Sequence, residues 1–271
     1  MKKLVYLLVI FLIPLNVFAD PIYDFDEETG TLTISGTGAA GRGGIDKQKI
    51  KNVIIKEGIT SVEGSAFREA SNLTSVTLPE SLTSIGSWAF HATNLGSVNI
   101  PKNVTTISSM AFYHANLTSV QFAEGSKLQT IGQEAFETNW FTSVNIPDSV
   151  QTISNAAFNG ACFYVTDVTA SAENLEKYLQ AAGKFSSNAT LHCTVGDCAA
   201  VLAAWDSEHN TSYATNVSVS YVPIEVPSDD GSVRIYKNGK LVGFKKKRIY
   251  TVDEAEKLSK KTGNKFRIRY K

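Results

Sequence analysis

Five copies of one short pattern occupy the middle of the chain, and a repeat of fixed period constrains a fold more than any local propensity does. The copies read IKNVIIKEGITSVEGSAFREASN (50–72), LTSVTLPESLTSIGSWAFHATN (73–94), LGSVNIPKNVTTISSMAFYHAN (95–116), LTSVQFAEGSKLQTIGQEAFETNW (117–140) and FTSVNIPDSVQTISNAAFNGAC (141–162). Phe67, Phe90, Phe112, Phe136 and Phe158 recur at intervals of 23, 22, 24 and 22 residues, the longest interval arising where AEGSK replaces a shorter turn. Val53, Val76, Val98, Val120 and Val144 keep step with them, as do Val62, Ile85, Ile107, Ile131 and Ile153. Alternation within a copy points Val76 and Leu78 inward and Ser75 and Thr77 outward. A proline (Pro79, Pro101 or Pro147) then ends the strand by removing a donor. Leu82 and Ile85 return across the core, and the phenylalanine fills the centre of the coil. One such coil has too little core to fold alone, so the copies must stack, with parallel strands about 4.8 Å apart.

The pattern L-x-S-V-x-I-P followed by V-x-x-I-x-x-x-A-F resembles the BspA-type (Treponema-type) leucine-rich repeat family over roughly residues 50–162. The resemblance implies an α/β, β-rich leucine-rich-repeat right-handed solenoid of five to six coils. It also implies export or display on microbial surfaces, and a role in adhesion and protein binding. The preceding DEETGTLTISGTGA resembles the N-terminal hairpin cap of such arrays. Family repeats place a cysteine three residues after the phenylalanine, where this chain has Ala70, Thr93, Ala115, Asn139 and Ala161. The cysteine ladder is absent, and with it any metal or redox role for that position.

Outside the repeats the chain divides by composition. Lys2 and Lys3, the apolar run Leu4 to Ile13, and Val17-Phe18-Ala19 read as a secretory signal of bacterial type over residues 1–19, with the mature chain starting near Asp20. The run is too short to span a bilayer. Residues 20–49 are the N-terminal cap, 50–165 the repeats, 166–205 an α/β C-terminal cap, 206–232 a polar, partly extended linker, and 233–271 a small basic α+β module. The C-terminal cap is expected to hold a helix in SAENLEKYLQAAG with Ser171 as N-cap, a strand in ATLHCTV and a short helix in DCAAVLAAW. The basic module reads as a hairpin around Asn238-Gly239, a helix opened by the capping box Thr251-x-x-Glu254, and a last strand KFRIRY. Residues 20–232 carry 10 basic and 23 acidic side chains, whereas residues 233–271 carry 14 and 3. A net charge of zero therefore conceals one strongly acidic and one strongly basic part.

Four motifs invite a catalytic or metal-binding reading. Gly36-x-Gly38-x-x-Gly41 spells a dinucleotide fingerprint after a strand, but Gly43 and Gly44 break any first helical turn and no room is left for a crossover helix. A cap hairpin with a flexible glycine-rich exit fits better. His192 and Cys193 are neighbours, but on a strand they point to opposite faces. Cys193 and Cys198, separated by four residues, have no zinc spacing; they form either a disulfide or two quiet buried thiols. His91 and His114 follow the phenylalanines of successive copies, offset by one residue, and make no obvious ligand pair. No catalytic residue, metal or cofactor is therefore expected.

The functional expectation is a non-enzymatic interaction protein, with a protein of host or envelope as partner. The outward sheet positions Ser75, Thr77, Ser97, Asn99, Ser119, Gln121, Ser143 and Asn145 form its candidate ligand strip. They lack the Trp, Tyr and Arg of binding hot spots, so they either recognise a partner modestly or merely solvate the sheet. In the second case contact falls to Trp88, His91, Tyr113 or Trp140, which vary between copies. A second class of function is a structural or envelope-attached protein acting through its basic module. Lys245, Lys246, Lys247, Arg248, Arg267 and Arg269 would then meet an anionic surface. A solvated or intramolecular basic face is the plain alternative. Nucleic acid is disfavoured because no recognised motif surrounds these residues.

Overall fold

The computed structural model describes residues 20–159, 167–182, 190–194, 196–209, 218–221, 224–227, 232–237 and 240–246. The signal segment 1–19 and the expected helix and last strand within 251–270 lie outside them. The chain forms two compact units, one reaching to Val168 and taking in Glu176–Ser186, the other made of Thr169–Leu175 and Ser187–Lys271.

The first unit is a solenoid whose coils contribute two strands each. In chain order these are β1 (Ile22–Asp26), β2 (Thr31–Ser35), β3 (Gly38–Ala40), β4 (Asn52–Ile55), β5 (Ile59–Val62), β6 (Ser75–Thr77) and β7 (Ser84–Ile85). There follow β8 (Ser97–Ile100), β9 (Thr106–Ile107), β10 (Ser119–Phe122), β11 (Thr130–Ile131), β12 (Ser143–Asn145) and β13 (Thr152–Ile153). The odd-numbered strands from β3 to β13 make one six-stranded parallel sheet. Its register sets Val62 against Ile85, Ile85 against Ile107, Ile107 against Ile131, and Ile131 against Ile153. On the second side, β1, β2, β4 and β6 form one sheet, while β8 and β10 form another. The interruption falls where Gly96, with φ of +66°, replaces the Thr74 or Thr118 of adjacent copies.

The third side is a chain of tight turns that also joins the coils. The N–H groups of Trp88, Phe90 and Ala92 donate to the carbonyls of Ser109, Ala111 and Tyr113, one coil further on. Met110, Phe112 and His114 do the same to Gln133, Ala135 and Glu137. Left-handed residues flank Phe90, Phe112 and Phe136: Trp88 and Ala92, Met110 and His114, Glu134 and Thr138 all have φ between +52° and +63°. Such φ values cost about 1–2 kcal/mol for a residue with a side chain. They persist because they aim alternate N–H groups at the next coil, where leaving one buried and unpaired would cost a comparable amount.

This ladder holds the phenylalanines in one stack. Ring centroids of Phe67, Phe90, Phe112, Phe136 and Phe158 follow each other at 5.4, 5.2, 5.4 and 5.3 Å, with interplanar angles of 14° or less. All five rings are buried, as are Leu82, Ile107, Val104 and Leu128 around them. Asn139 lies fully inside, at the position occupied by alanine in three other copies and by Thr93 in the second. Its Nδ2 donates to the carbonyls of Phe112 and Phe136 at 2.9 and 2.8 Å, and its Oδ1 accepts from the Leu117 N–H at 2.9 Å.

Both ends of the stack are covered within this unit. At the N-terminus, β1 and β2 form an antiparallel hairpin, and β2 pairs in parallel with β4, setting Leu32 against Val53. The glycine-rich stretch after it differs from the expected flexible exit. Gly38–Ala40 is a strand of the six-stranded sheet, so the cap supplies one strand to each side and forms a coil of its own. Gly43 has φ of +61°, and a Cβ there would fall 2.3 Å from the Tyr23 ring, so only glycine lets the chain pass. At the other end, Tyr178 of helix α1 (Ala172–Ala182) meets Phe158 at 5.4 Å, and Lys177 Nζ donates to the Val150 carbonyl.

In the second unit the Ser171 hydroxyl accepts from the Asn174 N–H at the start of α1. Strand β15 (Thr190–Cys193) pairs in parallel with β16 (Ser218–Tyr221), and α2 spans Cys198–His209; between β13 and β15, β14 is Asp167–Ala170. β17 (Ile224–Pro227), β18 (Ser232–Lys237) and β19 (Lys240–Lys246) form an antiparallel meander. The stretch expected as a partly extended linker, 206–232, carries the end of α2 and the strands β16 and β17.

Two measurements test this packing. Phe112→Ala removes the central ring of the stack and is expected to destabilise the protein by about 3–5 kcal/mol in a denaturant titration. Asn139→Ala leaves buried carbonyls and the Leu117 N–H without their partner, for an expected loss of about 1–3 kcal/mol; an unchanged midpoint would contradict the hydrogen-bonding role.

Candidate protein-binding surfaces

The strip expected on the strand side exists as a surface. Ser75, Thr77, Ser97, Asn99, Gln121, Ser143 and Asn145 are exposed and Ser119 is half-buried. Parallel pairing sets Ser119 beside Ser97 and Gln121 beside Asn99. At its N-terminal end the strip satisfies itself: Asn52 Nδ2 donates to Thr31 Oγ1, and Ser75 Oγ donates to Asn52 Oδ1 at 2.8 Å. Next to Asn99 and Gln121 lies a groove of about 250 Å³, floored by Leu78, Ile100, Pro101 and Phe122 and edged by Glu80. Leu78 was expected inside the coil, as was Val76; both are only half-buried, because the sheet is interrupted between β6 and β8.

A second surface, on the turn side, collects residues that the strip lacks. Among the outward positions there, two per coil vary most in chemistry: the residue two before each phenylalanine and the residue one after it. The first series runs Ser65, Trp88, Met110, Glu134, Ala156, and the second Arg68, His91, Tyr113, Glu137, Asn159. The Arg68 guanidinium lies 4.6 Å from the centre of the Trp88 ring, within cation–π range. Trp88 meets His91 edge-on at 4.9 Å, and His91 stacks on Tyr113 at 5.3 Å and 20°. Three of the four variable residues named from sequence therefore form one column. Trp140, half exposed, stands apart from it, its N–H donating to the Leu117 carbonyl. Adjacency was hidden in the sequence because Trp88 and Tyr113 belong to different coils; the signal was the variation of both positions between copies.

Charge is graded along the same face. Glu69 is neutralised, with Lys47 Nζ at 2.7 Å and Arg68 Nε at 3.5 Å, and these partners hold its carboxyl below the ordinary range. Three coils on, Glu134 and Glu137 accept from the side-chain amides of Gln133 and Asn159. Among the described residues no Lys or Arg lies within ion-pair distance of either. Partial burial, then the neighbouring Glu134, raises the Glu137 carboxyl above its ordinary value.

The remaining motifs find structural places. No helix follows Gly41; a single 3-10 turn, Lys47–Lys49, closes that coil. Cys193 and Cys198 are joined by a disulfide with Cα atoms 6.0 Å apart, linking β15 to the start of α2. Cys193 is buried and His192 half-buried on the alternate face. Among the described residues no group of three His, Cys, Asp or Glu side chains is placed to hold a metal ion, and no helix is long and apolar enough to cross a membrane. Lys245 and Lys246 lie in β19; Lys247, Arg248, Arg267 and Arg269 fall outside the described residues.

Within the column, the His91 imidazole is held below its ordinary value of 6.5, first by burial and then by Arg68, with Glu69 opposing and His114 adding. The neutral ring is favoured, so any stability it contributes is present above 6.5 and declines as pH falls through the lowered value. An NMR titration should place the His91 midpoint below 6.5 and move it upward in Arg68→Ala; an unmoved midpoint in that variant would remove the guanidinium as a cause.

No curated protein matches the chain. A leucine-rich repeat protein of Eubacterium ventriosum is 24% identical, over 56% of this chain and 42% of its own, with a TM-score of 0.41. The chain thus spans less than half the length of that relative. A leucine-rich repeat protein of T. pallidum is 23% identical over 56% of this chain and 70% of its own, with a TM-score of 0.44. The family model described as BspA type leucine rich repeat region matches residues 45–165 in six copies. Over residues 45–165 the chain is thus similar to BspA-type leucine-rich repeat regions.

Proposed function

We propose that this chain is an exported, non-catalytic binding protein, whose solenoid presents an interaction surface to a protein of a host or of the cell envelope, with adhesion as its cellular role. The division of labour among repeat positions carries this reading. Every inward position repeats an apolar residue or alanine with few exceptions, whereas the outward turn positions differ in each copy and include Arg, Trp, His, Tyr and Glu. A scaffold needs the first; only recognition gives a use to the second. The basic start and apolar run of residues 1–19 support export. The full chain produced in a bacterial host should appear outside the cytoplasm with an N-terminus near Asp20, and cytoplasmic retention with residues 1–19 intact would overturn export.

The charge division favours a second role for the C-terminal module. Fourteen basic against three acidic side chains in residues 233–271 suit an anionic surface. The full chain should co-sediment with vesicles containing anionic lipid at low salt and be released by salt. It should bind them less in a variant with Lys245, Lys246, Lys247 and Arg248 changed to Gln. Sedimentation insensitive to both salt and substitution would argue against electrostatic attachment.

A further inference from the structure

The turn side of the second to fourth repeats combines an aromatic column with an acidic pair that has no Lys or Arg within ion-pair distance among the described residues. The column starts from a satisfied end, where Arg68 covers Trp88 and pairs with Glu69. It continues through His91 to Tyr113, the last ring of the stack. The turn ladder then sets Glu137 one coil beyond Tyr113, because the His114 N–H donates to the Glu137 carbonyl just as the Ala92 N–H donates to that of Tyr113. Glu134 takes the corresponding place two coils beyond Trp88. The face thus presents aromatic edges followed directly by two carboxylates whose protein partners are amides.

We propose that this turn face, rather than the serine- and amide-bearing strip, is the main recognition surface, and that it binds a protein segment carrying arginine or lysine next to an aromatic residue. The partner's cation sits between Glu134 and Glu137 against the outer side of Tyr113, repeating across the interface the arrangement that Arg68 already makes on Trp88. The partner's aromatic residue lies along the edges of Trp88 and His91. Charge complementarity selects this occupant: an acidic segment would face two uncompensated carboxylates, and a purely apolar one would bury them unpaired. Aromatic and arginine side chains are the residue types that concentrate binding energy. The strip offers only small hydroxyl and amide groups, partly engaged with each other.

The inference rests on the reading of the solenoid as a protein-binding scaffold, and its test separates the two. The probe is a synthetic hexapeptide of alternating arginine and tyrosine, titrated into the full chain by calorimetry, with a glutamate–tyrosine hexapeptide as the opposite charge. Binding is expected for the first and not the second. It should weaken about five- to tenfold in the Glu134→Gln/Glu137→Gln double variant and in Tyr113→Leu, and fall with added salt. Asn99→Ala/Gln121→Ala on the strip should leave it within about twofold. Thermal melts of each variant check that the fold is intact, and the more conservative Tyr113→Phe should retain binding. Binding lost in the strip variant but kept in the glutamine pair would overturn the turn-face assignment while leaving a binding scaffold. Equal binding of both hexapeptides, or of neither, would overturn the proposal itself; export and localisation are read independently of it.

Discussion

Everything in the solenoid depends on one requirement: each phenylalanine must lie over the next at little more than 5 Å. Three backbone hydrogen bonds per coil enforce it on the turn side, donated by the phenylalanine and by the residues two before and two after it. Those bonds need left-handed residues on both flanks, and the chain tolerates Trp88, Met110, Glu134 and even Thr138 there. A local conformational cost is thereby offset by satisfied hydrogen bonds and a continuous ring stack. The same geometry turns the side chains of those residues away from the core, so the positions that cost most to fold are free to vary in chemistry.

That freedom separates the two surfaces. On the strand side, parallel register places like beside like, Ser97 beside Ser119 and Asn99 beside Gln121, and repetition yields a uniform strip. On the turn side, substitution in single coils yields a local patch, because the change is not propagated. Arg68, Trp88, His91 and Tyr113 touch although they come from three copies. Glu134 and Glu137 then end the patch abruptly. A repeat protein can in this way carry a non-repeating site without disturbing its stack.

The solenoid was legible in the sequence because its determinants are periodic: the rings of Phe67 to Phe158 and the second-strand residues Val62 to Ile153 lie where their spacing puts them. What escaped notice was aperiodic. Gly38–Ala40 has no phenylalanine after it, so nothing in its spelling marked it as a strand; pairing with β5 makes it one. Leu78 follows the inward rule by alternation, yet an interrupted sheet one coil further on leaves it at a groove. Asn139 read as the loss of a cysteine position, whereas its amide bonds two core carbonyls that an alanine would leave to their own devices. The aromatic column was half legible, since its members could be named as variable but their contact depends on the rise of one coil.

The unequal length of the copies follows from the same requirement. An insertion within two residues of a phenylalanine would move its ring out of the stack and misalign three hydrogen bonds, and the one extra residue of the first copy falls beyond that span, between Ala70 and Leu73. The two extra residues of the fourth copy enter at the corner after β10, where AEGSK bulges outward through Gly125, with φ of +69°. There the chain closes on itself, Ser126 N–H donating to the Ala123 carbonyl, while Lys127 N–H donates to Lys102 and returns the chain to register. Phe122 and Ala123, at the base of this corner, line the groove beside Asn99 and Gln121. The larger length change in the array is thus absorbed at the rim of the strand-side surface, and the turn-side patch keeps the register on which its contacts depend.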